Sequence, residues 1–126
     1  MRCARIMEEI EKLAPRDCAC SWDNPGLLAG RADKEAFRIL IALDADDRVV
    51  DMAVREGCDL LITHHPLIFK PLKRVTDEDF IGRLLMNLIR ADVSYYAVHT
   101  NFDAAPGGMA HLAAKLLELE DGIPLE

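Results

Sequence analysis

No stretch of the 126-residue sequence reaches the roughly 18 consecutive apolar residues that a membrane-spanning helix needs. The opening segment, MRCARIMEEIEKLAP, places Glu8, Glu9 and Glu11 where a secretory leader would carry an unbroken apolar core. A cytoplasmic protein without a membrane partner is therefore expected. Basic clusters are also missing: Lys73-Arg74 is the only adjacent basic pair, and the formal net charge is -7. A nucleic-acid-binding surface would show a basic stripe, so nucleic acid is not an expected partner. The four cysteines, Cys3, Cys18, Cys20 and Cys58, form no C-x-x-C pair and are read as free thiols. Cys18-Ala19-Cys20 could touch a soft metal, but zinc sites usually show wider pairing. There is no G-x-G-x-x-G and no P-loop Lys-Ser/Thr pair, which leaves nucleotide binding by those routes unsupported. Internal repeats and low-complexity segments are absent as well.

What the chain does have is the composition of an ordinary globular protein, 51% hydrophobic and 29% charged, at a length near the mode for one domain. Ile6, Ile10 and Leu13 recur at helical spacing over residues 3–14, and Pro15 ends that pattern. Residues 21–30, SWDNPGLLAG, are turn-rich, with Gly30 closing a short apolar piece. A rhythm follows: strand 37–43, helix 46–57, strand 59–63, helix 76–92, strand 93–98 and helix 107–119. This alternation predicts an α/β fold, a mostly parallel sheet flanked by helices, with 1–126 forming a single domain. The near-continuous apolar character of strands 39–43 and 59–62 predicts burial on both faces. The connection from 64 to 76 is longer than such loops need, and long loops in compact domains are often functional.

In open parallel sheets ligands sit beyond the carboxyl ends of the strands. At that edge the first strand ends in Asp44, the second in His64 and His65, and the third in His99, with Asp103 four residues later. Three of the four histidines fall there. Successive residues leaving a strand point in opposed directions, so His64 and His65 are expected to serve two neighbouring ions rather than chelate one. Imidazole with carboxylate suits Zn, Mn, Fe or Ni better than Mg or Ca. Paired ions of this kind activate water against phosphoryl and similar substrates. Blander readings stand beside this one. A strand-end histidine can be a polar loop residue. Asp44 is better read as a cap for the helix starting near Asp46. Asp103 could cap the helix beginning near Pro106, and His111 is read as a surface or groove residue. Pro106-Gly107-Gly108 exposes backbone N–H groups at a helix start, either as an anion site or, more simply, as a tight turn.

Four segments, SWDNPGLLAG, LIALDA, LLITHHPLIFKPLKRVT and YYAVHTNFDAAPGGMAHLAAKLLEL, resemble in order and spacing the N-terminal half of a dinuclear-metal-centre family. Its members are known as GTP cyclohydrolase type 2 homologues, and its eukaryotic members as interactors of a transcriptional co-regulator. The resemblance spans nearly the whole chain. It implies an α/β fold, a hexameric toroid, and two divalent metal ions facing a central cavity. Carried across, His64, His65 and Asp103 match metal ligands, and His99 matches a site histidine that is a ligand or a proton shuttle. Asp44 has no counterpart among the ligands.

The family's remaining ligands, a histidine and a bridging glutamate in H-x-x-x-E, lie near the C-terminus of chains about twice this length or more. Here the sequence ends at DGIPLE, and the position four after His111 is Lys115. The chain is therefore expected to be a truncated piece, one half of a split protein whose partner supplies the rest, or a naturally short form. Two functions follow as expectations: a metal-dependent hydrolase with an incomplete dinuclear site, or a non-catalytic oligomeric scaffold that binds partners.

Overall fold

The computed structural model describes residues 1–120, 122 and 123. Helix α1 (Cys3–Leu13) leads through a short 3-10 turn (Arg16–Cys18) into strand β1 (Gly26–Ala29). Strand β2 (Ile39–Ala42), helix α2 (Asp47–Arg55), strand β3 (Leu60–Thr63), helix α3 (Phe80–Arg90) and strand β4 (Ser94–Ala97) follow. Two helices, α4 (Thr100–Ala104) and α5 (Met109–Leu116), complete the described elements. The sheet order is β1-β4-β3-β2. Strands β2, β3 and β4 are parallel, and β1 pairs antiparallel with β4. The mostly parallel α/β architecture is as expected, and the three parallel strands deliver their carboxyl ends to one edge.

Alternation along the strands fills both sides of the sheet centre. Leu61 and Tyr95 pack with Val50, Ala53, Leu84 and Leu88 of α2 and α3. Leu60 and Tyr96 pack on the opposite face with Cys3 and Met7 of α1. The helix starts are set by side-chain caps. Asp46 accepts from the Val49 amide at 2.8 Å, and Asp79 from the Gly82 amide at 2.8 Å. Asp79 therefore moves the start of α3 to Phe80, and the connection after β3 is longer than the sequence suggested. No helix among the described residues is long and apolar enough to cross a membrane.

Three expectations fail here. Strand β2 is an edge strand and is not buried on both faces. Ile39 and Ile41 pair in register with Leu60 and Ile62 on the α1 side, but α1 lies over β3 and β4. Ile41 is left 75% exposed, with Phe37 and Leu43 exposed beside it. An apolar run does not distinguish a central strand from an edge strand whose cover is missing. The second and third failures are omissions. The apolar piece after Asn24-Pro25 is strand β1, and the turn after His99 is helix α4; both are too short for a periodicity to register.

At the amino ends of the strands, charge fixes the chain. Asp59 accepts from the Phe37 and Arg38 amides at 2.8 and 3.0 Å. Lys34, nearly buried, sits 3.6 Å from Asp59 and 3.3 Å from Asp92. Arg31 grips Asp92 through two bonds of 3.0 and 2.9 Å. This edge is held by charge pairs, and the histidines lie at the opposite edge.

A candidate metal centre

Backbone hydrogen bonding shapes the turn after β3. The His65 amide donates to the Leu43 carbonyl at 3.0 Å, and Thr63 Oγ1 donates to the His65 carbonyl at 2.8 Å. The buried Tyr95 hydroxyl accepts from the Leu67 amide at 2.8 Å and lies 2.7 Å from Thr63 Oγ1. The extended backbone ends at Thr63, and the pleat no longer governs where the next two side chains point. His64 and His65 consequently converge, with ring centroids 4.9 Å apart. That corrects the expectation that they diverge. His99, at the end of β4, closes the group at 5.2 Å from His64 and 5.6 Å from His65. One ligand atom from each of the three rings lies within 4.8 Å of the others.

Each ring is held differently. His65 places Nδ1 2.7 Å from Asp44, and His99 places Nδ1 2.8 Å from Asp23. An ionised carboxylate only accepts, so each Nδ1 carries a proton, and in the neutral ring Nε2 is then the nitrogen with the lone pair. Carboxylates on the outer nitrogen are the usual support of metal-bound histidines, fixing tautomer and ring orientation. His64 has no such support: its Nδ1 is buried without a hydrogen-bond partner. Its Nε2 stands 3.5 Å from Asp103 Oδ1. That is long for a direct hydrogen bond, and is close to the ~3.3 Å edge of a tetrahedron with bonds of about 2.0 Å. Three converging imidazoles, two of them held by carboxylates through Nδ1, and a carboxylate beside His64 Nε2 fit a borderline divalent ion.

Of the residues read from the sequence, the structure brings together His64, His65 and His99, with Asp103 beside His64. Asp103 lies within α4, and the Gly108 start of α5 has no side-chain cap, so the capping alternative for Asp103 does not hold. Asp44 is not the cap of α2 either: Asp46 fills that place, which frees Asp44 for His65. His111 is exposed on α5, as read. Gly107 has φ of +79°, and a side chain at Gly108 would collide with the Phe102 carbonyl, which accounts for the pair as turn residues. Neither Cys18 nor Cys20 joins the histidine group among the described residues. Burial pushes the Cys3 and Cys58 thiols up, away from the thiolate form a metal would need.

Asp23 was missed. Its side chain is shielded from solvent, and it also accepts from the Thr100 amide at 3.0 Å and from the Thr100 hydroxyl. Burial by itself would raise its carboxyl. The bonds from His99, Thr100 and the Asn24 amide more than offset that and hold it below the ordinary aspartate range. Its signals were its place in the turn-forming Trp22-Asp23-Asn24-Pro25, where a cap or turn role is the default reading, and the membership of that turn in a segment that carries the family resemblance.

The whole chain, residues 1–126, matches the family model Duf34/NIF3 (NGG1p interacting factor 3). The chain belongs to this family. It is 34% identical over 126 residues to the GTP cyclohydrolase 1 type 2 homolog of Clostridium perfringens, covering all of this chain and 48% of that protein. Reduced HcgD from Methanocaldococcus jannaschii superposes with a TM-score of 0.92 at 38% identity, over 100% of this chain and 50% of that one. The Bacillus cereus protein related to NIF3 superposes with a TM-score of 0.89 at 37% identity, over 96% and 33% respectively. The chain thus spans between a third and a half of the length of these relatives.

Proposed function

We propose that the chain binds one or two divalent ions of the Zn, Mn, Fe or Ni type through His64, His65 and Asp103, and that it belongs to a hydrolase-like site. The observation that carries this is the convergence of His64, His65 and His99, with His65 held by Asp44 and His99 by Asp23. A bound ion would supply Lewis acidity and lower the pKa of a coordinated water toward neutrality. The chain's own residues orient and move protons. His99, held through Nδ1 by Asp23, is placed to ligate or to take a proton at Nε2. Asp103 places Oδ1 3.5 Å from His64 Nε2, beside the same space.

The names of the relatives point to a purine ring as substrate, and a phosphoester fits the same chemistry. The donor set given by this chain is short for two ions. Completion by a separate polypeptide equivalent to the remainder of the longer relatives, or by another copy, is part of the proposal. Cytoplasmic residence fits the free thiols.

The test is metal content per chain by elemental mass spectrometry on protein purified without chelator, with His65→Ala in parallel. One to two ions per chain, falling in the variant, is the expected result. Metal near zero after incubation with zinc or manganese would sink the reading.

A second reading, an assembling scaffold without catalysis, is favoured by the open face of β2 and by helix α5, in which no residue is buried. The resemblance implies a homo-oligomer, a hexamer in form. Hydrolysis lost in His65→Ala with the assembly intact would favour the enzyme. Loss of the assembly, with no turnover in the parent under any metal, would favour the scaffold.

A further inference from the structure

Asn101 is fully buried in α4, and both ends of its side-chain amide are used. Its Oδ1 accepts from the His99 amide at 2.8 Å. Its Nδ2 donates at 2.8 Å to the carbonyl of Ala14, the buried residue that closes α1, 87 positions away. The partners fix which end is which, since a backbone N–H only donates and a carbonyl only accepts. Burying a side-chain amide is costly unless each of its groups is paired, and an apolar residue would fill the same space without that demand. Packing alone does not account for an asparagine here.

The bonds converge on His99. Val98 still belongs to the ladder, its amide donating to the Thr63 carbonyl at 2.9 Å. The chain then leaves the extended conformation at His99, with φ of -115° and ψ of -118°. The His99 carbonyl accepts from the Phe102 and Asp103 amides at 2.8 and 3.2 Å. Its own amide is held by Asn101 and its Nδ1 by Asp23. Nε2 is left as the polar atom of His99 without a hydrogen bond among the described residues. Asp23 steadies the ring, and Asn101 steadies the backbone from which the ring projects.

We infer that Asn101 is a positioning residue for His99: by tying the His99 amide to the end of α1, it sets the approach of that ring to His64 and His65. The inference rests on the proposed function for the use of the ring, and on the hydrogen bonds alone for its placement. Without the Asn101 side chain, the His99 amide and the Ala14 carbonyl lose their partners in the interior, and the turn relaxes to find others. Supports of this kind fix ring orientation in metal sites, and their loss lowers metal affinity although every ligand is still present.

The test compares Asn101→Ala with Val50→Ala, a truncation in the α2 and α3 core cluster, which contains none of the histidines. Long-range nitrogen NMR of the metal-free chain, with the rings neutral, reads the tautomer of each histidine. In the parent, His99 should carry its proton on Nδ1 alone. In Asn101→Ala the His99 nitrogens should move toward the averaged shifts of a freely exchanging ring, while those of His65 stay in place. Cobalt titration of the same samples should show affinity about 10–100-fold lower in Asn101→Ala, with altered visible absorption. Val50→Ala should change neither readout, although it also lowers the melting temperature. Hydrogen exchange in the parent adds a check that needs no variant: the His99 amide should exchange as slowly as that of Val98. Fast exchange at His99 overturns the inference. An unchanged His99 tautomer in Asn101→Ala does the same, whatever happens to cobalt. So does an equal tautomer change in Val50→Ala, because the effect would then be one of stability. A parent that binds no cobalt removes the metal centre, and the tautomer comparison then decides the role of Asn101 by itself.

Discussion

Asp23 and His99 stand 76 positions apart in the chain, and the carboxylate of the first accepts the Nδ1 proton of the second at 2.8 Å. His65 and Asp44 repeat the arrangement at 2.7 Å. The two pairs differ in burial. Asp23 is shielded, whereas the Asp44 and His65 side chains are 59% and 50% exposed. That difference separates what each carboxylate does for stability from what it does for the site.

Asp23→Ala should therefore cost both fold and function. The Thr100 amide and the His99 ring lose their acceptor in a shielded place, a loss of about 1–3 kcal/mol in unfolding free energy. Zinc affinity should fall about 10–100-fold if His99 ligates. Asp44→Ala should leave stability within about 0.5 kcal/mol, as exposed pairs do, while still weakening zinc. Urea unfolding and calorimetric zinc titration of the two variants check this. Equal stability losses would contradict the division.

Tyr95 holds the histidine turn from below. Its hydroxyl accepts from the Leu67 amide and lies within 3.1 Å of the His65 carbonyl. Burial pushes that hydroxyl's pKa up, so it stays a neutral donor and acceptor. Tyr95→Phe strands a buried amide and should destabilise the chain by about 1–3 kcal/mol. Because the same bond sets the direction of His64 and His65, zinc affinity should fall as well. Unfolding midpoints with and without zinc are the measurement, and a smaller zinc-induced shift in the variant is expected.

How much of this was legible in the sequence depends on the distance over which each feature is decided. The parallel core and the placing of His64, His65 and His99 at one edge followed from local alternation of strand and helix. The convergence of His64 with His65 did not. It depends on Leu43 and Tyr95, which reach the turn from neighbouring strands. Asp23 was invisible for the same reason, since its partner lies on the far side of the chain. The exposure of β2 is a property of what is not packed on it, and an apolar run carries no sign of that.

Acid should weaken the fold at the amino edge of the sheet. The Phe37 and Arg38 amides and the Lys34 ammonium hold the Asp59 carboxyl below its ordinary value of 3.8, against the opposing pull of burial. Arg31 and Lys34 hold Asp92 down in the same way. A carboxyl depressed in the folded state contributes stability that is complete above its unfolded pKa and is lost as pH falls through the folded value. Wild-type melting temperature should therefore drop below about pH 4. Asp59→Asn should start lower at neutral pH and fall less between about pH 5 and pH 2. Parallel slopes for the two proteins would remove Asp59 from the account.

The open face of β2 sets the last expectation. Ile41, Phe37 and Leu43 are exposed on it. An apolar groove of about 210 Å³ runs beside it between Leu13, Ile41, Ile62 and Phe102 and ends against His64. Helix α5 exposes Met109, Leu112 and Leu116, and Met109 already lines one side of the groove. The large side chains of the two surfaces together expose apolar area on the order of 800 Å² per chain, which is about what each partner of a standard interface buries. A single copy leaves both surfaces wet; two copies can exchange them, α5 of each lying along β2 of the other. The chain should then sediment above monomer mass at micromolar concentration. Ile41→Lys, at a position 75% exposed, should shift it to monomer with little change in melting temperature. Leu116→Lys should do the same from the other side, because the interface needs both surfaces. Assembly that survives both substitutions would place the contact elsewhere. A wild type that stays monomeric would leave β2 without a cover from its own kind.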